Sequence, residues 1–429
     1  MTAARTNSRP NSEVGLVLAG GGARGAYEAG ALSKLLPELE KRGERPGIIL
    51  GTSIGALNAT HIAATAHLPA QESVDELIKL WLKVQFSNIV GPLVSLREIG
   101  RLLRYFQRRS TPSLLDTSSL PALLNELIEF EQLHENTGRD LVSLAVVATS
   151  YATGDSVVFH EGPPRGTVAP DLGRGISYFE TRIDQTHVQS SASIPVAFPA
   201  TRVEAPPGAA GWYSDGGTRL NTPIKPALTL GAKRVVVIGL NSTAPPPRPE
   251  TGPPDIFDGA GQVVQALLAD PIAQDVQTLA GYNSEVPGGA GARSTAGRAV
   301  VPYIFVAPSD RLTVGRLATE VFCKHLSSLG AFFRARDLVA LGRLIGAGED
   351  ATRAELFSFL FFATEFYEAL FKQGRDDAQR WLDLPDNDGP WRLKPPPLPS
   401  PKPPPRQARA KSTRARRAKT ATGAAGSTR

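Results

Sequence analysis

Strand-like and helix-like patterns of apolar residues alternate over the first 66 positions of the chain. The apolar run from Val14 to Ala19 stops at three glycines and predicts a buried parallel strand. A helix is predicted from Arg24 to Lys41, where leucines recur at helical spacing. A second strand, Gly47 to Leu50, leads into an alanine-rich helix that ends near Ala66. This order predicts a right-handed parallel unit with helices on its faces.

The later pattern continues the α/β arrangement. Residues 71–135 are predicted to be helical throughout. Further buried strands are predicted at Leu141 to Ser150, Val235 to Leu240 and Val301 to Ala307. Two C-terminal helices are predicted at Ala331 to Ile345 and Glu355 to Phe371. The stretch from Leu356 to Phe371 holds six of the 17 phenylalanines, which favours a buried core helix over a lipid-contacting surface.

Composition divides the chain into one domain with two flanking segments. Residues 1–13 are predicted to be disordered, and the domain spans residues 14–384. Within it we predict a helical insertion at about 71–135, a helical and loop insertion at about 244–297, and C-terminal helices at about 331–384. From residue 385 the chain is rich in proline and then in basic residues, so residues 385–429 are predicted to be disordered.

Positive charge is concentrated near the C-terminus. The 429 residues contain 47 Lys and Arg against 41 Asp and Glu, a net charge of +6. Eleven of those basic residues and no acidic ones follow Pro390, so the remainder is acidic overall. Because no aromatic residues are interleaved with these charges, specific nucleic-acid binding is not expected. Weak attraction to anionic membranes is the favoured interpretation.

Cys323 is the one cysteine, which excludes an internal disulfide. No apolar run reaches the roughly 18 residues of a membrane-spanning helix, and the first residues lack a secretory signal pattern. We therefore expect a cytoplasmic protein whose membrane contact is peripheral. A basic stripe formed by Arg97, Arg101, Arg104 and Arg108 predicts an amphipathic helix that docks on anionic lipid; an ordinary solvated helix is the alternative.

A candidate nucleophile lies where the second predicted strand meets its helix. The sequence there is Gly51-Thr52-Ser53-Ile54-Gly55. In this setting the G-x-S-x-G pattern predicts a nucleophile elbow, with the Ser53 hydroxyl exposed at the carboxyl end of the sheet and close to a helix N-terminus. A serine that only caps the helix is the alternative.

Two functions fit the glycine-rich segment after the first strand. Its sequence is Gly20-Gly21-Gly22-Ala23-Arg24-Gly25. It contains the G-x-G-x-x-G of dinucleotide-binding folds, but the second strand ends in a serine motif instead of the Asp or Glu that would bind a ribose. Free backbone N–H groups above Ser53 would instead form an oxyanion hole. Arg24 is expected to orient this segment, to hold an anionic head group, or to be exposed.

A serine nucleophile requires a general base. The positions of the other five histidines argue against them and leave His325, which follows an aspartate in the Ser, Asp, His order of α/β-hydrolases. Its mid-helix position favours a structural or surface role. Asp215 is the better candidate, because Gly216 and Gly217 behind it permit close approach to another backbone. A carboxylate base predicts higher activity at mildly alkaline than at acid pH.

Four sequence blocks, in order, resemble those of the patatin-like phospholipases, in a form typical of the bacterial branch. They are Gly20–Gly25, Gly51–Gly55, Ser191–Pro199 and Asp215–Gly217. The resemblance extends over about residues 14–381. It implies a three-layer α/β/α fold with a mostly parallel central sheet, and an oxyanion hole built from the backbone of the Gly20–Gly25 segment.

The resemblance also implies hydrolysis of fatty acyl esters in phospholipids or lysophospholipids by Ser53 and Asp215, through an acyl-enzyme, without cofactor or metal. Triacylglycerol or thioester substrates are alternatives. Two other classes remain open: a nucleotide-binding protein that uses the glycine segment, and an inactive binding module driven by the basic tail.

Overall fold

A computed structural model describes residues 11–89, 119–195, 197–242, 270–284, 299–326, 351–384 and 389–394, with isolated positions at 259, 337–339 and 342. Five predictions fall largely or wholly outside these residues. They are disorder over residues 1–13, the basic helix around Arg97–Arg108, most of the insertion at about 244–297, the helix at Ala331 to Ile345, and the tail beyond residue 394.

A mostly parallel sheet lies at the centre of the described residues. Its strands are β1 Asn11–Leu18, β2 Pro46–Thr52, β3 Ser143–Ser150, β4 Ser156–Glu161, β5 Ile176–Glu180, β6 Thr201–Val203, β7 Gly211–Asp215, β8 Arg234–Ile238 and β9 Tyr303–Val306. The order is β5-β4-β3-β2-β1-β8-β9, and β7 pairs with both β3 and β6. The pairs among β3, β2, β1, β8 and β9 are parallel, whereas β3 is antiparallel to β4 and to β7.

Helices cover the sheet. They are α1 Gly25–Lys41, α2 Ile54–Ala64, α3 Ala70–Lys83, α4 Phe86–Ile89, α5 Leu120–Leu127, α6 Phe130–Gly138, α7 Gln185–Ser191, α8 Ile224–Thr229, α9 Asp270–Ser284, α10 Thr313–Val321, α11 Ala351–Leu360 and α12 Thr364–Leu382. Helix α2 packs on β1, β2 and β3, and α8 packs on β1, β2 and β8. The predicted three-layer α/β/α class is confirmed.

The central strands follow from their composition. In β2, β3 and β8 nearly every residue is buried, the pattern of a parallel strand covered by helices on both faces. All five strands predicted from the apolar runs are present, with ends that differ by one to three residues. Strand β1 begins at Asn11, so the predicted disorder does not extend to residue 13. Strands β4, β5, β6 and β7 are not among the five predicted strands.

The phenylalanine-rich stretch is two helices instead of one. Helix α11 ends at Leu360 and α12 begins at Thr364. All six phenylalanines are buried, which agrees with the core interpretation. The break turns Phe359 and Phe362 toward a cavity beside Ser53.

Residues 389–394 pack against the domain, so the prediction of disorder from residue 385 is wrong for them. Trp391 is buried and its Nε1 donates to Glu44 at 2.8 Å. Tyr303 and Arg392 exchange two backbone hydrogen bonds of 2.9 Å, which extends the edge of the sheet at β9. Two of the eleven basic residues attributed to the tail, Arg392 and Lys394, therefore lie on the folded body.

No helix within the described ranges is long and apolar enough to cross a membrane.

Candidate active site

Ser53 sits in a strained turn between β2 and α2. Its φ is 55° and its ψ is −125°, values that a residue with a side chain rarely adopts. The turn is tight because a Cβ on Gly51 would lie 2.1 Å from the Gly55 carbonyl oxygen, and a Cβ on Gly55 would lie 2.5 Å from that of Leu18. The two glycines let the backbone close on itself, as the elbow interpretation requires.

Strand β3 sets the distance between Ser53 and Asp215. Its residue Val147 pairs with Thr52, the last residue of β2, and the next residue, Ala148, pairs with Asp215. Strand β7 thus continues the sheet on the side of β3 that β2 vacates at the elbow. Because Ser53 directly follows Thr52, this register brings Asp215 beside it.

Asp215 is a buried carboxylate, 3% exposed. Its Oδ1 accepts the Gly217 N–H at 2.7 Å, and its own N–H donates to the Ser193 carbonyl at 2.8 Å. Burial raises the pKa of Asp215 from 3.8 to about 6, against the opposing effect of hydrogen bonds from the Ser53 hydroxyl and the Gly217 N–H. The carboxylate is therefore ionised near neutral pH and is a stronger base than an exposed aspartate.

The glycine-rich segment is held at both of its ends by buried side chains. Glu28 of α1 accepts the Ala19 N–H at 2.8 Å and the Asn58 Nδ2 at 2.8 Å. Asn58 of α2 also donates to the Gly25 carbonyl at 3.0 Å. Burial raises the pKa of Glu28 to about 8. These contacts fix the segment against the nucleophile helix, since Asn58 lies one turn beyond Ser53.

Within the segment, only some N–H groups are available to a substrate oxygen. The Gly20 N–H donates to Asn221 Oδ1 at 2.9 Å, the Arg24 N–H donates to the Gly21 carbonyl at 3.2 Å, and the Gly25 N–H is directed back into the short 3₁₀ turn. The N–H groups of Gly21, Gly22 and Ala23 have no acceptor among the described residues. Of the whole segment for which an oxyanion hole is predicted, only these central N–H groups are therefore available to form one.

Arg24 is anchored in the interior, so the expectations of head-group binding and of exposure are both wrong. Its side chain is 1% exposed and forms a 2.5 Å ion pair with Glu355 of α11. The guanidinium donates three further hydrogen bonds, to Ser358 Oγ at 2.7 Å, to the Glu355 carbonyl at 2.7 Å and to Asn241 Oδ1 at 3.1 Å. It also lies over the Phe359 ring, 3.8 Å from the ring centre. Arg24 thereby orients the glycine segment by tying it to α11.

Ser191, for which the sequence suggested no role, holds the backbone of the elbow. Its Oγ accepts the Ser53 N–H at 2.8 Å and donates to the Val147 carbonyl at 2.5 Å. The hydroxyl therefore links the nucleophile to the same β3 register that positions Asp215.

An apolar cavity opens directly onto Ser53. The empty space has a volume of about 710 Å³, which includes space open to solvent. Apart from Ser53 itself, Gly22 and the indole of Trp81, every lining residue has an apolar side chain. Helix α5 contributes four of them: Leu120, Leu123, Leu124 and Leu127. Such walls suit a hydrocarbon chain and offer nothing to a charged group.

None of the six histidines, all of which are described, lines this cavity. His325 is exposed on the π-helical turn Phe322–Leu326, and His187 is buried at the start of α7 with its ring bonded to Asp184 and the Ala205 carbonyl. Burial lowers the pKa of His61 to about 4, so that ring is neutral. Within the described part of the chain, no group of three or more His, Cys, Asp or Glu could hold a metal ion.

Residues 16–228 match the family model described as patatin-like phospholipase. No curated protein sequence matches the chain. The matched segment contains Ser53, Asp215 and the glycine segment, whereas α11, which anchors Arg24, lies outside it.

Several solved structures are similar at low sequence identity. VipD from Legionella pneumophila is 14% identical with a TM-score of 0.33, over 86% of this chain and 66% of that protein. Human GIVD cytosolic phospholipase A2, in complex with methyl gamma-linolenyl fluorophosphonate, is 11% identical with a TM-score of 0.30, over 87% and 59%. ExoU of Pseudomonas aeruginosa, in its complex with SpcU, is 16% identical with a TM-score of 0.27, over 89% and 74%. The chain thus spans less than two thirds of the Legionella and human proteins.

Proposed function

We propose that this chain, which belongs to the patatin-like phospholipase family through its residues 16–228, is a lipid acyl hydrolase. It cleaves fatty acyl esters of phospholipids or lysophospholipids with Ser53 and Asp215. The observation that carries this proposal is the β3 register, which sets the buried Asp215 carboxylate beside the Ser53 hydroxyl at the mouth of an apolar cavity. Family membership supports the class of reaction, and the geometry supports the choice of the two residues.

The reaction proceeds in two acyl transfers. Ser53 Oγ attacks the ester carbonyl carbon while its proton passes to Asp215, and the oxygen of the carbonyl becomes an oxyanion. As the C–O bond to the alcohol breaks, Asp215 returns the proton to the leaving oxygen. A water molecule then attacks the acyl-serine while it gives a proton to Asp215. As the C–O bond to Ser53 breaks and the fatty acid leaves, Asp215 returns that proton to Ser53 Oγ. The net change is the addition of one water across one ester.

Two features of the site lower the barrier for these steps. The N–H groups of Gly21 and Gly22 can stabilise the oxyanion, and Ser53 lies at the N-terminus of α2, where the helix dipole favours negative charge. The acyl chain enters the cavity lined by α5, and its burial holds the ester at Ser53. A phospholipid head group finds no place in this apolar cavity, so we place it at the open mouth.

The test measures, by mass spectrometry, the fatty acid that the chain releases from four substrates: phosphatidylcholine, lysophosphatidylcholine, triacylglycerol and an acyl-thioester. We expect release from the first two, abolished by Ser53→Ala and lowered about 10²- to 10⁴-fold by Asp215→Asn, the usual contribution of general base catalysis. His325→Ala is the control and should be as active as the wild type. Loss of activity in His325→Ala with activity retained in Asp215→Asn would show that we assign the wrong base. Hydrolysis of triacylglycerol or thioester alone would contradict the proposed substrate class.

Nucleotide binding by the glycine segment is less well supported. The Gly20 N–H is occupied by Asn221, Arg24 is buried in an ion pair, and the space in front of Gly22 is apolar. A phosphate bound at Gly20 would therefore find neither a free N–H on that residue nor an unpaired charge on Arg24. Tight binding of NAD or ATP by the folded chain, without ester hydrolysis, would reverse this ranking.

We also propose peripheral contact with anionic membranes, carried by the arginine stripe at residues 97–108 and the basic tail, whose positive charge is fixed by the sequence. Flotation with anionic vesicles should weaken when Arg97, Arg101, Arg104 and Arg108 are changed to Gln. The same four positions changed to Lys keep the charge and should float as the wild type does. Flotation that is unchanged by the Gln substitutions contradicts a role for the stripe.

A further inference from the structure

Asn221 binds both polar groups of Gly20 from the segment that follows Asp215. Its Oδ1 accepts the Gly20 N–H at 2.9 Å, and its Nδ2 donates to the Gly20 carbonyl at 3.4 Å. The side chain is fully buried. The bonded residues are 201 positions apart, so this one amide joins the base segment to the glycine segment.

The contact lies against the nucleophile. A Cβ placed on Gly20 would lie 2.5 Å from Asn221 Oδ1 and 2.9 Å from Ser53 Cβ, so the three residues touch. The preceding residue, Leu220, accepts a hydrogen bond of 3.1 Å at its carbonyl from Thr52 Oγ1 of the elbow. The nucleophile, the base segment and the glycine segment therefore meet at Asn221.

The direction of the Gly21 N–H follows from this contact. A trans peptide unit is planar, and its C=O and N–H point in opposite directions. Because Asn221 fixes the Gly20 carbonyl, it also fixes the N–H of Gly21, which belongs to the same peptide unit. That N–H is one of three in the segment that remain without an acceptor among the described residues, and Gly22, which supplies another of them, lines the cavity.

We propose that Asn221 is a positioning residue for ester hydrolysis: it aims the Gly21 N–H at the developing oxyanion and couples the glycine segment to the Asp215 segment. The inference rests on the proposed function, since it assumes that Ser53 attacks an ester. Asn221 acts through Gly21 and does not itself contact the substrate.

The chain offers a matched control. Asn283 of α9 clamps Val301 in the same way: its Oδ1 accepts the Val301 N–H at 3.0 Å and its Nδ2 donates to the Val301 carbonyl at 2.8 Å. Asn283 is also buried, at 6% exposure, and does not line the cavity. Asn283→Ala removes an equivalent clamp without touching the glycine segment.

The experiment compares kcat, KM and Tm for Asn221→Ala and Asn283→Ala in the full chain, with a soluble short-chain ester as substrate. We expect similar losses of Tm in the two variants. Only Asn221→Ala should lose kcat, by about 100-fold, with KM within about threefold, because removal of one oxyanion donor costs about 10²–10³ in kcat. Asn221→Asp keeps the acceptor for Gly20 but places a negative charge beside the oxyanion, so its kcat should fall at least as far.

Equal kcat in Asn221→Ala and Asn283→Ala, relative to the wild type, overturns the positioning role. Where the alanine variant does not fold, Asn221→Ser keeps a small hydrogen-bonding group and is judged by the same kcat comparison. The proposed function fails in a different way, namely when the wild type does not hydrolyse the ester or when Ser53→Ala hydrolyses it equally well.

Discussion

Replacing Asp215 with asparagine should stabilise the folded chain at pH 8 while it impairs catalysis. The folded carboxyl has a pKa of about 6, whereas the unfolded value is 3.8. Because the folded state binds this proton more tightly, the group favours folding below pH 3.8, and that contribution disappears as the pH rises through 6. A difference of about two units at 1.36 kcal/mol each makes the ionised carboxylate cost about 3 kcal/mol at pH 8, and about half of that at pH 5.

Asparagine removes that cost with little loss of contacts, since its Oδ1 can still accept the Gly217 N–H. Urea unfolding at pH 8 and pH 5, followed by tryptophan fluorescence, should show Asp215→Asn more stable than the wild type by about 3 kcal/mol at pH 8, with a smaller gap at pH 5. The comparison variant is Asp377→Asn. Asp377 is also buried, but it accepts from Tyr27 Oη at 2.8 Å and pairs with Arg380, so its neutralisation should destabilise. An Asp215→Asn protein no more stable than the wild type at pH 8, or a gap that does not shrink at pH 5, would refute the reasoning.

The remaining predictions concern the anchor of the glycine segment and the cavity. Glu355→Ala leaves the buried Arg24 uncompensated and should cost about 3–5 kcal/mol in urea unfolding, whereas Glu76→Ala, which breaks an exposed pair with Lys79, should cost no more than about 1 kcal/mol. A small loss for Glu355→Ala would contradict the anchoring role. Leu123→Phe narrows the cavity and should lower kcat/KM about tenfold or more for long acyl chains relative to short ones, while Leu82→Phe, on an exposed position, should not change that ratio.

The sequence predicts the parts of the site that depend on local pattern. The turn at Ser53 follows from Gly51 and Gly55 between an apolar strand and a helix, and the five core strands follow from unbroken apolar runs. Strands β6 and β7 are three and five residues long and carry polar residues, so they give no comparable signal. Because the sequence does not predict β7, it does not give the antiparallel register that sets Asp215 beside Ser53. The sequence favours Asp215 as the base only because Gly216 and Gly217 follow it.

Long-range contacts explain the other differences. Arg24 contacts Glu355 and Ser358, more than 330 positions away, so the contacts that bury it leave no local signal in the sequence. Asn221 follows the Asp215 motif without a pattern of its own, yet it binds both polar backbone groups of Gly20. The break between α11 and α12 has no proline or glycine to announce it, because Phe361, Phe362 and Ala363 are all residues that a helix accepts.

The most direct test of the central claim is the site of labelling by an alkyl fluorophosphonate, mapped by peptide mass spectrometry on the full chain. If Ser53 is the activated nucleophile, the label should be found on Ser53 alone, be absent from Ser53→Ala, and form much more slowly in Asp215→Asn at pH 8. Label on another serine, such as Ser191, or equal labelling of the Ser53→Ala protein, would contradict the assignment.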